Sequence, residues 1–394
     1  MKKFFHILLK IIKWAAVILL VAAIFSALYN LTLPSESETT EYLLADQKAY
    51  IIEMDHLRRT AGNDVWPGWG DQSVPVIVYN ESYAFLIGYP DPPDGWLKMP
   101  SGEFRGTSWQ KVQNDEINGE RYYRQPLPDP HITPENFTVK VGDRWVLTMQ
   151  TKEYAAVSFY NGFRNELPPI LSAVFPYRLF WNLLMGTAEN YIAGMAHEAF
   201  HAHQGMLVPD RLAQAENAAR LSSDYPWHKP ENAAGWEEEI DLLLESYHSG
   251  TSEDSKYFIE QFLEKRRERR KLAELTGEMI LYEQQREWLE GLAKYAELKI
   301  GLVASENSEY SPVSQIQQTA GFRHYETREQ YFRRQLDEVG RTAKREGESR
   351  FYYGGMLQAI LLDRHVPEWK SDAFDNNVYL DQLLEKALKS VTSL

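Results

Sequence analysis

The sequence predicts an α+β chain in three parts: a cytoplasmic tail and transmembrane helix over residues 1–33, a mixed α/β subdomain over 34–170 and a mainly helical domain over 171–394. Three observations carry this. An apolar run from Trp14 to Tyr29 follows Lys2, Lys3, Lys10 and Lys13. Residues 60–170 are rich in Gly, Pro and Trp and hold short β-prone runs. From about Pro168 onward the apolar residues recur at helical spacing.

Composition narrows the function classes. The 394 residues include 44% hydrophobic and 25% charged side chains, an ordinary globular balance. A net charge of -14 argues against nucleic acid as a partner, which would call for a basic face. With no cysteine there is no disulfide, thiolate ligand, thiol nucleophile or acylated-Cys anchor. Any metal must be held by His, Glu, Asp or water.

Taken in order, the N-terminal run approaches the ~20 apolar residues that cross a bilayer once its apolar neighbours are added. Lysines before it and Glu36, Glu38 and Glu41 after it predict a single-pass anchor, N-terminus cytoplasmic and body extracytoplasmic. A cleaved signal peptide is the rival, with Val21-Ala22-Ala23 as its small-residue site; the apolar run, however, continues past it to Tyr29. Glu41 to Arg59 reads as an amphipathic helix through Tyr50, Ile51, Met54 and Leu57. Val74–Tyr79 and Tyr83–Gly88 read as paired strands, and Phe137–Val141 with Trp145–Met149 as a hairpin turning at Gly142-Asp143. Ala155–Phe159 is expected to continue the sheet, and Tyr89–Gly95 is a Pro-rich loop. Helices are expected over Arg211–Leu221, Glu237–Tyr247 and Tyr257–Ile300, the last as one long helix or two joined near Gly277. Its Lys265–Lys271 run reads as a solvated face.

The chemistry lies in Tyr191–Gln204, which contains His197-Glu198-x-x-His201. Positions i and i+4 of an α-helix share one face, so both imidazoles can address a single ion. Glu198, beside the first ligand, is placed to move a proton to and from the water that attacks a carbonyl. The uncharged flanks Ile192, Ala193, Met195, Ala199, Phe200 and Ala202 suit a helix buried behind a metal site. A metal-free core helix would instead have to desolvate two imidazoles and a carboxylate. Gln204 and Leu207 stand where a metzincin has Gly and His, so that class is excluded.

A third ligand must come from elsewhere. Glu290, in Trp288-Leu-Glu290-Gly291-Leu-Ala293-Lys-Tyr295-Ala-Glu297, is preferred because small Gly291 and Ala293 would let its helix approach the metal helix; Glu245, Glu239 and Asp241 are rivals. The pair of motifs, HExxHxxQ and then EGxAxY, resembles gluzincin-type zinc peptidases, including bacterial families whose second helix carries an EGWAxYxE-like motif. The likeness covers mainly residues 188–300, with about ninety residues between the motifs and Leu292 where Trp is common. The segment Tyr352–Lys370 is similar to the closing helix of such proteins. The resemblance implies a zincin-like helical domain, Zn2+ held by His197, His201 and Glu290, and Glu198 as general base. It also implies an oxyanion donor among His324, Tyr325, Arg350 and Tyr353. Asp241 or Glu245 could orient a ligand histidine, and His203 falls on another helix face. The expected function is a membrane-anchored extracytoplasmic zinc peptidase acting on a peptide or protein. The alternatives are a metal-free scaffold of the same fold, or a zinc hydrolase of a non-peptide or cell-wall amide.

Overall fold

Lys2–Asn30 forms one helix, α1, in the computed structural model, which describes residues 2–127, 138–325, 328–342, 345–366 and 368–389; Phe137 and Pro367 lie outside them. The 27 residues Phe4–Asn30 are long and apolar enough to cross a membrane, and their apolar window is unburied; a signal sequence would have the same features. After a linker comes α2 (Ala45–Val65), later and longer than the sequence spacing predicts. Gln47 Oε1 accepts from the Leu44 N–H at its start, and Tyr50, Met54, Leu57 and Ala61 bury one face.

The middle region is an eight-stranded sheet: β1 (Val76–Tyr79), β2 (Tyr83–Ile87), β3 (Trp96–Lys98), β4 (Glu103–Arg105), β5 (Gln110–Lys111), β6 (Tyr123–Pro126), β7 (Val139–Val141) and β8 (Arg144–Gln150). Its order is β4-β3-β7-β8-β1-β2-β6-β5. The β1–β2 hairpin pairs Val76 with Ile87, and Asn80 Oδ1 closes its turn by accepting from the Ser82 and Tyr83 N–H groups. The β7–β8 hairpin pairs Val139 with Val146 and turns at Gly142, whose φ of 59° suits a residue without Cβ. β1 and β8 run parallel, Val76 opposite Leu147. Alternation divides the sheet faces: Ile77, Leu86 and Val146 face one cluster, while Val76, Phe85 and Leu147 join the main core.

Ala155–Phe159 does not extend the sheet. It lies inside α3 (Lys152–Glu166), where the Thr151 hydroxyl caps the Tyr154 N–H. The run is too short for its β-propensity to compete with that cap and with the packing of Phe159 and Tyr160 on Trp181. Two short helices follow, α4 (Pro169–Val174) and α5 (Tyr177–Leu184).

The metal-motif helix is α6 (Ala188–Leu207), started by Thr187, which accepts from the Asn190 N–H, and stopped before Pro209. It packs on β8, α2 and α11. Gly205 makes the fit on the sheet possible: a Cβ there would fall 2.7 Å from the Trp145 ring. Helices α7 (Pro209–Ala218), α8 (Pro230–His248), α9 (Ser252–Leu272) and α10 (Gly277–Arg286) follow. The long helical stretch thus breaks just before Gly277. A π-helical turn, Glu287–Gly291, joins α10 to α11 (Leu292–Glu306). The chain closes with α12 (Ser314–Gln317), α13 (Arg328–Thr342), α14 (Ser349–His365), α15 (Trp369–Asp372) and α16 (Leu380–Lys389). One core cluster runs from Leu43 to Leu384, so the sheet and the helices share it across residue 170.

The basic run on α9 is only partly solvated. Arg266 and Arg269 turn inward and are 1% exposed, held by Glu239, Glu283 and Glu287, while Arg267 stays outside.

Candidate metal centre

Helix α6 stacks His197 above His201 on its buried face, with the two Nε2 atoms 3.2 Å apart. Glu290 arrives from the π turn, its Oε2 at 3.4 Å from each of them. A tetrahedral zinc site with bonds of about 2.0–2.1 Å has ligand-to-ligand edges of roughly 3.3–3.4 Å. The three atoms therefore form one face of such a tetrahedron, and the group is the one that could hold a metal ion among the described residues.

The surrounding hydrogen bonds fix what these atoms can be. Gln204 donates its Nε2 hydrogens to the Trp288 and Leu289 carbonyls at 3.1 and 3.3 Å, which leaves its Oε1 to accept. That oxygen lies 2.8 Å from His201 Nδ1, so Nδ1 carries a proton and a neutral His201 presents a bare Nε2. On His197, Nδ1 faces Glu297 Oε2 at 3.3 Å, and Lys294 holds the other Glu297 oxygen at 2.6 Å. Arg286 binds Glu290 Oε1 at 2.7 Å and Glu348 at 2.9 Å, which aims Oε2 at the imidazoles. Three acceptor atoms thus converge on one point, an arrangement that only protons or a cation can satisfy. The donor set of two imidazoles and a carboxylate fits a divalent ion such as zinc.

The surrounding carboxylates favour positive charge at this point, whether protons or a cation. Burial pulls the His197 imidazole down, but Glu290 and Glu297 outweigh it and hold the ring up to about 10. Burial likewise lowers His201, and Glu290 reverses the sign. Burial would raise the Glu290 carboxyl, yet His201, His197 and Arg286 hold it well below the usual carboxylate range. Glu198 behaves differently: burial dominates and raises its carboxyl, against the pull of His197 and His201. It remains partly exposed beside the buried histidines.

The residues singled out in the sequence separate cleanly. His197, Glu198, His201 and Glu290 come together. Glu245 and Asp241 are exposed on α8, and Glu239 is committed to Arg266 and Arg269. Gln204 and Glu297, not Asp241 or Glu245, support the histidines. His203 is buried on another face against Gln72 Oε1, where burial lowers its ring to about 3. His324 is exposed, and the Tyr325 hydroxyl donates to Glu53 at 3.0 Å, away from the histidines. The Tyr353 hydroxyl donates to Gln335 and its ring lies near Lys294, while Arg350 donates to the Arg345 carbonyl. The neighbouring Tyr352 is the tyrosine at the centre. Its ring stacks on His197 at 6.0 Å and 9°, and burial followed by Glu290 raises its hydroxyl.

One further expectation changes. Gly291 is small because of α14: a Cβ on Gly291 would fall 2.5 Å from the Gly355 Cα, and one on Gly355 would fall 2.4 Å from the Glu287 carbonyl. That contact brings α14, and with it Tyr352, onto the π turn.

No protein-family model, curated protein or solved structure matches this chain.

Proposed function

We propose that the protein is a membrane-anchored zinc-dependent peptidase with a gluzincin-like ligand set, His197, His201 and Glu290. One observation carries the reading: His197 Nε2, His201 Nε2 and Glu290 Oε2 lie 3.2–3.4 Å apart, with His201 Nδ1 and Glu290 Oε1 held by Gln204 and Arg286 and His197 Nδ1 facing Glu297 at 3.3 Å. A bound ion would supply Lewis acidity and lower the pKa of water toward neutrality. The chain supplies the rest. Glu198 takes the proton of the attacking water and passes it to the leaving amine. Tyr352, stacked against His197, donates its hydroxyl toward the oxygen that gains charge as the carbonyl is attacked. Arg286 keeps the Glu290 carboxylate turned and ionised. In this reading α1 is an uncleaved anchor with the body extracytoplasmic, as the lysines before it and the acids after it indicate.

The test is metal content beside peptidase activity in the purified full chain, wild type against Glu198→Gln and His201→Ala. One zinc per chain is expected for the wild type and for Glu198→Gln, with activity lost in the latter. His201→Ala should lose both. A wild type that binds no zinc at micromolar concentration overturns the reading.

A further inference from the structure

We propose that α4 and α5 form a second membrane element, a helical pair that lies in the bilayer interface beside the end of α1. Beyond residue 33, eleven described large apolar side chains stand exposed, and five of them, Ile170, Leu171, Leu179, Phe180 and Leu183, fall within fourteen residues of this pair. Ile170 is 82% and Leu183 71% exposed, more than any other in that set. Between Leu167 and Thr187 there is no acidic residue and one basic residue, Arg178, in a chain of net charge -14.

Helix α5 is apolar nearly all round but covered on one side only. Tyr177 and Trp181 pack on Tyr160 and Phe159 of α3, while Leu179, Phe180 and Leu183 face out. A short helix of that kind calls for an apolar environment on its open face. The pair is too short to span, at 6 and 8 residues, and is broken at Phe175-Pro176.

What covers that face follows from its height. Asn30, the last residue of α1, donates to the Ala173 and Phe175 carbonyls at 3.0 and 2.8 Å. Arg178 donates to the Thr32 carbonyl at 2.8 Å and lies over the Tyr29 ring at 4.5 Å. The polar atoms of the pair are therefore fastened to the end of α1, where a spanning helix leaves the hydrocarbon. An apolar groove of about 540 Å³ runs between Phe25, Leu28 and Tyr29 of α1 and Leu179 of α5, continuing the apolar surface from one to the other. Continuity with α1 selects lipid as the occupant. The inference rests on reading α1 as a membrane helix, which sets the height of the pair.

A chain without cysteine allows unique labels. The full chain carrying Ile170→Cys or Leu183→Cys is labelled with an environment-sensitive nitrobenzoxadiazole dye and reconstituted in phosphatidylcholine vesicles, with and without acyl-chain nitroxide lipid. Leu19→Cys reports on α1, and Leu272→Cys on an exposed apolar position elsewhere. Positions 170 and 183 should emit to the blue of 272 and lose roughly twofold in intensity with nitroxide lipid, as buried interfacial residues do. Quenching at 19 with values at 170 and 183 equal to 272 overturns the inference and leaves the anchor standing. Absence of quenching at all four positions overturns both. A blue shift at 170 and 183 without nitroxide quenching means protein rather than lipid covers the face, and also overturns it.

Discussion

The Gln204 amide decides the protonation of His201, because its two donors are already taken by backbone carbonyls. Gln204→Leu should therefore weaken zinc binding by about 10–100-fold, the usual effect of losing a group that orients a ligand histidine. Glu297→Gln should act similarly through His197, and competition with a zinc-binding dye checks both. Tyr352→Phe should leave zinc bound and lower kcat by ~10²–10³, whereas Tyr353→Phe should change it little. Equal losses from the two tyrosine changes would remove the oxyanion role from Tyr352. At this scale the pairing of the two imidazoles is readable in the sequence, since i and i+4 spacing alone puts His197 and His201 on one face. Choosing between adjacent tyrosines is not, because one residue turns a helix by about 100° and only the Gly291–Gly355 contact fixes which ring meets His197.

Helical elements show where local rules stop. On an uninterrupted α-helix Glu283, Glu287, Glu290 and Glu297 would lie along one stripe. The π turn at Glu287–Gly291 adds a residue between the first pair and the last, so Glu283 and Glu287 serve the α9 arginines while Glu290 and Glu297 serve α6. No residue type announces such a turn. The buried half of the Lys265–Lys271 run escaped the sequence for a related reason: its partners are Glu239 on one side and Glu283 and Glu287 on the other, all distant in the chain. Glu239→Ala should cost about 3–5 kcal/mol, since it leaves buried guanidinium groups short of a partner. A urea titration of the variant measures that loss. Burial pushes the Glu283 carboxyl up, but Arg269 and Arg270 outweigh it and hold it well below 4.5. As pH falls through 4.5 the unfolded chain takes up that proton first, so this stability is complete above 4.5 and drains away below it. Glu283→Gln should flatten the urea midpoint against pH in that window. Gly355→Ala should destabilise by ~1–3 kcal/mol, because its Cβ meets backbone rather than a movable side chain.

For the whole molecule, three assignments drawn from the sequence have direct counterparts: an apolar N-terminal helix, hairpins in the middle and helices after Pro168. The order of the eight strands and the core shared across residue 170 were beyond reach, because they depend on contacts between distant segments. The sheet is also where the shared core matters for stability, as α6 rests on β8 through Gly205 and Trp145. If the centre holds zinc as proposed, removing it should loosen the entire body rather than one loop. At free zinc a thousandfold above Kd, binding stabilises by about 4 kcal/mol, so chelation should lower Tm by several degrees in a calorimetric scan. Unchanged melting would disconnect the centre from the fold. Finally, the two charged clusters of this protein are kept in register by a single surplus residue within Glu287–Gly291. A one-codon deletion there would restore ordinary helical winding, leaving one cluster rotated by roughly 100° from its partners. A descendant could in that way lose the His197–His201–Glu290 cluster with all three codons intact, and a survey for HExxH alone would not notice.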